Sequence, residues 1–412
     1  MEKVQATLMH IISCFMHDTD FQLSNQLTKE NWQELYELSK IHSLLPVTYE
    51  TIKTNESFLK TDKAFKQKWQ DESTSLVVKQ IQLSNAFLNI YQKIKNNNID
   101  CIVTKGIVLR ELYSKKEWRV SGDEDIIIKK EDFNKVCQIL LDNHYQVVNE
   151  VISDNVQVTT FIDPVSTLTI ELHLQLFGND TYLGFLNKYF ENIFVNSKYI
   201  EIDGVSIQVM NEFDQLFYLI CHCFKHFINN GVGLRQLMDI GMYSIKNYEF
   251  VDWDKLFNYA NEFNISTFIH CIYSVLEDFY NVKMRDINYP KHLIDKLDYT
   301  DFLDDIFDSG VFGLSTKERI YSNLMTRRVL NEQNKKTSLI SLIFPSAKNL
   351  RAGYPILYDK PYLLPYVWIK RMKGFINRYK RSKKETDLDM KKAIELGNKR
   401  ISLLKKYKIW RF

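Results

Sequence analysis

The sequence is poor in the residues that interrupt or cross-link a chain. Its 412 residues include only 7 prolines and 13 glycines, too few for a collagen-like, low-complexity or glycine-rich barrel protein. The six cysteines (Cys14, Cys101, Cys137, Cys221, Cys223 and Cys271) form no Cys-x-x-Cys pair, so no disulfide framework is expected. No run of about eighteen apolar residues occurs, which leaves no candidate for a transmembrane helix. The first eighteen residues carry Glu2, His10 and His17 and lack both a long apolar core and a small-residue cleavage site, so no secretory signal is read. These absences together predict a reduced, cytoplasmic protein. What is present is ordinary for a globular chain: 45% hydrophobic, 25% charged and 13% aromatic residues. The length predicts two to three domains at roughly 100–200 residues each, enough to bury real cores.

The formal net charge of +3 conceals an asymmetry. Residues 370–412 hold sixteen Lys/Arg against four acids, a net of +12, so residues 1–369 carry −9. An acidic body with a basic tail predicts contact of the tail with an anionic membrane or another polyanion; a solvated helix face is the alternative.

Apolar residues at helical spacing (Trp32, Leu35, Leu38, Ile41, then Leu76, Val77, Ile81, Phe87, Ile90) make residues 1–95 a helical region. The breaker cluster 96–100 precedes a strand at Cys101-Ile-Val-Thr104, then a helix from Gly106 to about Ser114. A second strand is expected at Asp125–Ile128, an amphipathic helix over 131–145, β-rich stretches at 146–152 and 156–162, and an alternating strand over 168–176. Asp203-Gly204 between two β-rich runs at 199–209 signals a hairpin with a type I′ turn. Asn211 with Asp214 can cap a helix, and helices are expected over 212–228, 234–246, 252–263 and 266–281. Pro345, Pro355, Pro361 and Pro365 should break 339–369 into extended pieces and turns. The organisation predicted is thus an N-terminal helical region 1–95, an α/β core 96–210, a helical domain 211–338 and a proline-punctuated segment with a basic C-terminal helix, 339–412. No internal repeat is seen.

The chemistry concentrates in residues 104–128. Asp123 and Asp125 flank Glu124 at the start of an apolar strand. Strand side chains alternate, so the two aspartates share a face about 7 Å apart, and Glu124 faces away. Two carboxylates on one face suit one or two divalent cations, Mg²⁺ above all. A third would complete a two-cation clamp, and Glu171 is the candidate, since a charge between Ile170 and Leu172 needs a reason. His173 shares the Glu171 face, either behind the cation ligands or as an ordinary strand histidine. The alternative for the acidic run is an exposed loop–strand junction.

This layout resembles the polymerase-β-like nucleotidyltransferase fold, and more closely the poorly characterised bacterial nucleotidyltransferase family proteins. The resemblance rests on Lys105-Gly106, Arg119 ahead of Asp123-Glu-Asp125, Glu171-Leu-His173, the helical set His222, Lys225, His226, Leu234, Arg235 and Asp239, and the block 344–371. It spans about 30–371. The chain departs from the superfamily pattern with Ile107 after the turn glycine, sixteen residues between Gly106 and Asp123, and a charged residue inside the Asp-x-Asp. The resemblance implies an α+β fold: a small mixed β-sheet nucleotidyltransferase core flanked by N-terminal and C-terminal helical regions. It also implies transfer of an NMP from an NTP, ATP among them, to an acceptor hydroxyl or phosphate, with pyrophosphate release and Mg²⁺ or Mn²⁺ as cofactor. In that scheme Asp123, Asp125 and Glu171 hold the metal and Glu171 doubles as general base. Lys105, Gly106, Arg119 and Ser121 meet the phosphates, joined by Lys225, His226 and Arg235, with Asp239 orienting a cation.

Two readings stay open for the helical set. It can face a triphosphate, or it can be a buried helix pair stitched by a His226–Asp239 or Arg235–Asp239 bond. A zinc site at Cys221, His222 and Cys223 is disfavoured, because residues two apart point about 200° apart on a helix. The acceptor is open among a sugar phosphate, a small metabolite, a peptide and a protein. A non-catalytic nucleotide-binding adaptor on the same fold is the alternative function; a nucleic-acid enzyme fits the acidic body poorly.

Overall fold

The computed structural model describes residues 1–23, 27–148, 157–178, 183–229, 231–290 and 297–309. Toward the C-terminus it describes 318–319, 322–323, 344, 346–350, 354, 356–371 and 390–408. The chain divides into two compact units, Met1–Ser315 with Tyr407–Ile409, and Thr316–Lys406 with Trp410–Phe412.

The first unit opens with helices α1 (Lys3–Met16), α2 (Lys29–Ile41), α3 (Leu45–Ile52), α4 (Glu56–Leu59) and the long α5 (Lys63–Asn96). Side chains start them: Thr28 accepts the Asn31 N–H, and Asp62 accepts those of Ala64 and Phe65, satisfying donors that a helix start leaves open. The apolar stripe of α5 buries Trp69, Leu83, Phe87, Tyr91 and Ile94.

Among the described residues, seven strands form one mixed sheet in the order β3-β4-β5-β2-β1-β7-β6. They are β1 (Cys101–Thr104), β2 (Asp123–Ile128), β3 (Gln146–Val147), β4 (Val158–Ile162), β5 (Thr169–His173), β6 (Lys198–Ile202) and β7 (Val205–Val209). β2 runs antiparallel to β1 and parallel to β5, and β1 runs parallel to β7. One sheet face packs on α5 and on α7 (Phe133–Asp142) through Val103, Ile126, Ile128, Phe161, Ile170, Leu172 and Ile207, with Phe87, Tyr91, Phe133 and Leu140 opposite. Each such side chain contributes about 1.5–3 kcal/mol by leaving water. The β6–β7 hairpin turns at Asp203 (φ 49°) and Gly204 (φ 78°), the positive pair a type I′ turn requires.

Four more helices follow: α8 (Glu212–Asn229), α9 (Leu234–Asn247), α10 (Trp253–Glu262) and α11 (Ser266–Tyr280). These match the four helices read from the sequence. Asn211 Oδ1 accepts the Asp214 N–H at 2.8 Å, the expected cap. α12 (Thr300–Ser309) adds Phe302 to an aromatic cluster with Phe227 and Phe268. The α+β class, a mixed sheet between helical regions, is therefore what the chain adopts.

Three local expectations differ. α6 (Gly106–Arg110) is shorter than the helix expected to reach Ser114, because Leu112 and Tyr113 donate to carbonyls three residues back and tighten the chain into turns. β5 ends at His173 although alternation continues to Leu176. Beyond it the Asn187 amide captures both the N–H and the carbonyl of Phe177. Within 339–369, where extended pieces and turns were expected, helical stretches stand at Ala347–Leu350, Ile356–Asp359 and from 361 onward. Pro361 and Pro365 sit in a first helical turn, where a missing N–H costs nothing. Of the two β-rich stretches, residues 149–152 and 156 lie outside the described residues, as does the tail over 372–389.

In the second unit the helix Met390–Lys406 has Gly397 and Leu404 buried and Ile394 and Ile401 half-buried. No helix among the described residues is long and apolar enough to cross a membrane. All six cysteines are free thiols, each buried.

Candidate metal and nucleotide site

Alternation along β2 sends Glu124, Ile126 and Ile128 into the core beneath the sheet and leaves Asp123, Asp125 and Ile127 on the other face. The parallel register with β5 sets Glu171 beside Asp125 and His173 beside Ile127, while β1 sets Thr104 on the other side of Asp125. α8 covers this face; Gln215 and Thr104 bond across 3.1–3.2 Å. Apart from Glu212 at its start, α8 is buried except for His222, Lys225, His226 and Asn229, which are partly exposed. That i, i+3, i+4, i+7 stripe is one helix face.

His173 Nε2 donates to Asp125 Oδ1 at 2.8 Å and lies 3.4 Å from Glu171 Oε2. The donor atoms of Asp125, Glu171 and His173 all fall within 4.8 Å of one another. Adjacent ligands of an octahedral cation with bonds of about 2.1 Å stand about 3.0 Å apart. Two carboxylates and an imidazole so spaced fit a divalent cation. Asp125 and His173 are buried, whereas the Glu171 side chain is 33% exposed and forms the open edge.

The charges are strongly coupled. Burial alone would raise the Asp125 pKa, but Lys105 and His173 outweigh it and hold the carboxyl below its ordinary range. Burial depresses His173, but hydrogen bonds to Asp125 and Glu171 hold it above its ordinary value. Glu171 is lowered, chiefly by the His173 bond. Asp123 is raised, by burial and then by the Asp125 charge. Like charges sharing a site part in this way.

Lys105 Nζ reaches Asp125 Oδ2 at 2.8 Å and His222 Nε2 at 3.1 Å. Its backbone, between β1 and α6, has φ 56° and ψ −124°, a strained geometry for a residue with a Cβ that costs about 1–3 kcal/mol. His222 is held well below its ordinary pKa by burial and then by Lys105, so it accepts that bond as a neutral imidazole. His226 Nε2 lies 3.2 Å from His222 Nε2, and its pKa falls to about 3 through burial first. Lys225, on the same stripe, is held below its ordinary value by burial and then by Lys105.

The other residues singled out from the sequence have protein partners. A Cβ on Gly106 would collide with the Glu124 carboxylate, whose farther oxygen would stand only 2.8 Å away. Glu124 accepts the Ile107 N–H at 2.8 Å and pairs with Arg110. Arg110 also donates to Ser121 Oγ at 2.6 Å, and the Ser121 N–H donates to Gln80. Arg119 grips both oxygens of Asp239 at 2.9 Å and donates to the Gly106 carbonyl; the Tyr113 hydroxyl joins Asp239 at 2.8 Å. Arg235 donates to the Val120 carbonyl. The bond at Asp239 thus comes from Arg119 rather than from His226 or Arg235.

The structure therefore gathers Lys105, Asp123, Asp125, Glu171 and His173 on the sheet with the α8 stripe, and ties Arg119, Ser121 and Asp239 into a buried network around α6. Sequence reasoning left His173 undecided and missed Tyr113, Arg110 and Gln215. Only His173 carried a usable signal, its place two residues from Glu171 on one strand face.

The family model for uncharacterised nucleotidyltransferases matches residues 28–281. No curated protein matches. Among solved structures, an antigenic nucleotidyltransferase-like protein from Paracoccidioides brasiliensis is similar at 16% identity over 40% of this chain and 75% of that one, with a TM-score of 0.29.

Proposed function

The chain belongs to the family of uncharacterised nucleotidyltransferases, and from that premise we propose that it transfers an NMP from an NTP to an acceptor hydroxyl or phosphate, with a divalent cation, Mg²⁺ or Mn²⁺, at Asp125, Glu171 and His173. The observation that carries this reading is the donor cluster, 2.8 and 3.4 Å between neighbouring atoms, at the end of a strand that also presents Asp123. The cation would supply charge stabilisation at the phosphorus under attack. Asp123 would join Asp125, Glu171 and His173 in holding it. Glu171, ionised and at the open edge, takes the proton of an acceptor hydroxyl as its oxygen bonds to the α-phosphorus. The bond from that phosphorus to the bridging oxygen breaks, and pyrophosphate leaves. Lys105 and the α8 stripe with Lys225 supply positive charge for the departing phosphates.

A second reading is favoured by one observation: both oxygens of Asp125 are already engaged, by Lys105 and His173. A non-catalytic adaptor that binds a nucleotide and stays inert fits it. Incubation with each labelled NTP, Mg²⁺ or Mn²⁺ and a cell extract tests the two. The transferase reading expects label in an acceptor, matched by pyrophosphate and abolished by Asp125→Asn. Cation-dependent nucleotide binding without pyrophosphate in any extract would establish the adaptor.

A further inference from the structure

The strained position at the β1–α6 junction, φ 56° and ψ −124°, is one that glycine takes freely, yet a lysine stands there. What the lysine brings is an ammonium 2.8 Å from Asp125 Oδ2, on a side chain only 14% exposed. Its other close partner, His222 Nε2 at 3.1 Å, is neutral, and the Tyr218 ring lies 5.9 Å away. Asp125 is thus the carboxylate the ammonium pairs with, and Asp125 is also a member of the donor cluster. A bare cation arriving there meets a like charge on the same carboxylate. A triphosphate arriving with the cation brings oxygens to which a flexible ammonium can turn.

We propose that Lys105 is a resident counter-ion that keeps a bare divalent cation out of the carboxylate cluster and admits the cation–nucleoside triphosphate complex by transferring its ammonium from Asp125 to the phosphates. Lys105 then sets the order of binding as a positioning residue, without giving up a proton. The inference rests on the nucleotidyltransferase reading and adds the form in which its substrate enters.

The test is calorimetric titration of the full chain with Mn²⁺ alone, and with Mn²⁺ plus an α,β-methylene NTP analogue that cannot release pyrophosphate. Lys105→Gln removes the charge and keeps the backbone strain of a residue with a Cβ. The expected result is a change of opposite sign in the two titrations: Mn²⁺ alone binds about tenfold tighter, and the analogue complex about tenfold weaker. Lys105→Arg should leave both near wild type. If Lys105→Gln binds Mn²⁺ alone no tighter than wild type, the proposal is overturned. Lys105→Met serves the same comparison should the glutamine variant fail to fold. Failure of both neutral variants to fold beside a folded Lys105→Arg assigns the ammonium to stability and also overturns it. A wild-type protein that binds neither Mn²⁺ nor the analogue complex removes the nucleotidyltransferase reading itself. Binding of both without the opposed shifts removes only the role of Lys105.

Discussion

Replacing Gly106 with alanine should unfold the site from beneath. The added methyl group would occupy space held by the Glu124 carboxylate, so Glu124 must move. Moving it breaks its pair with Arg110, both side chains at most 2% exposed, and its bond from the Ile107 N–H. Separating a buried ion pair costs about 3–5 kcal/mol; losing a charge-assisted bond alone costs about 1.5–3 kcal/mol, and the two losses overlap. We expect about 3–5 kcal/mol in all, a large share of a total stability of about 5–15 kcal/mol. At roughly 2 °C per kcal/mol for a unit of this size, the thermal midpoint should fall by roughly 6–10 °C. Glu124→Ala alone should cost a similar amount by stranding Arg110. Gly106→Ala on that background should add little, because the clash has gone. The assay is calorimetric or fluorescence-detected unfolding of the four proteins in the cycle. A Gly106→Ala midpoint equal to wild type, or a full penalty persisting beside Glu124→Ala, would refute the reasoning. A stable Gly106→Ala protein with weakened NTP binding would return the glycine to the phosphate role read from the sequence.

Four further outcomes are expected. Asp239→Asn should lower the unfolding midpoint by an amount corresponding to about 3–5 kcal/mol, since Arg119 is buried against it; a normal midpoint with weakened NTP binding would favour phosphate contact instead. His42 is fully buried, and burial lowers its pKa to about 3. The unfolded chain therefore takes up the proton first, and stability falls as pH drops from about 6.5 toward 3, by about 2 kcal/mol at pH 5. Urea midpoints at pH 7 and 5 should differ less in His42→Gln, and an undiminished difference would contradict the assignment. An imidazole among the cation ligands should favour Mn²⁺ over Mg²⁺ by about tenfold in direct titration, and His173→Asn should erase that ratio; equal affinities in wild type would remove His173 from the ligand set. With Gly397 and Leu404 of the C-terminal helix buried, adsorption of the basic tail to anionic liposomes should be electrostatic and lost between low and physiological salt. Co-sedimentation that persists at physiological salt would show an apolar anchor.

The parts of the fold legible in the sequence are those fixed by neighbours along the chain. Asp203-Gly204 dictates its hairpin because both residues tolerate positive φ, and Asn211 dictates the start of α8 because its cap bond spans three residues. The shared face of Asp123 and Asp125 follows from strand alternation alone. The partners that decide what the remaining site residues do are far away in sequence. Arg119 and Asp239 are 120 residues apart and Lys105 and His222 are 117 apart, so no local pattern could pair them. Gly106 poses a related problem. A glycine opening a helix after a strand is the pattern of a phosphate loop, yet here the space above it is filled by a side chain from the neighbouring strand. The helical Pro361 and Pro365 were misread because proline breaks a helix interior and starts one equally well.

Three consecutive acids at the head of β2 would repel one another if they stayed together. Alternation separates Glu124 from the other two, and each face then needs its own cation. On the core face the cation is Arg110, a planar guanidinium that donates to Glu124, Ser84 and Ser121 at once. Such a fork is permanently charged and held at several points, which suits a pair that never opens. On the outer face the cation is Lys105, a single ammonium on a flexible stem with two close partners, one of them uncharged. An ammonium can swing from one oxygen to another with little rearrangement around it. The choice of arginine below and lysine above thus matches a structural pair on one side of the strand and an exchangeable pair on the other. The separation has a measurable consequence. Exchanging the two cations, Arg110→Lys with Lys105→Arg, should lower stability through the first change, while the second keeps a cation on Asp125 and leaves Mn²⁺ titration near wild type, so the loss should appear in unfolding and not in the titration.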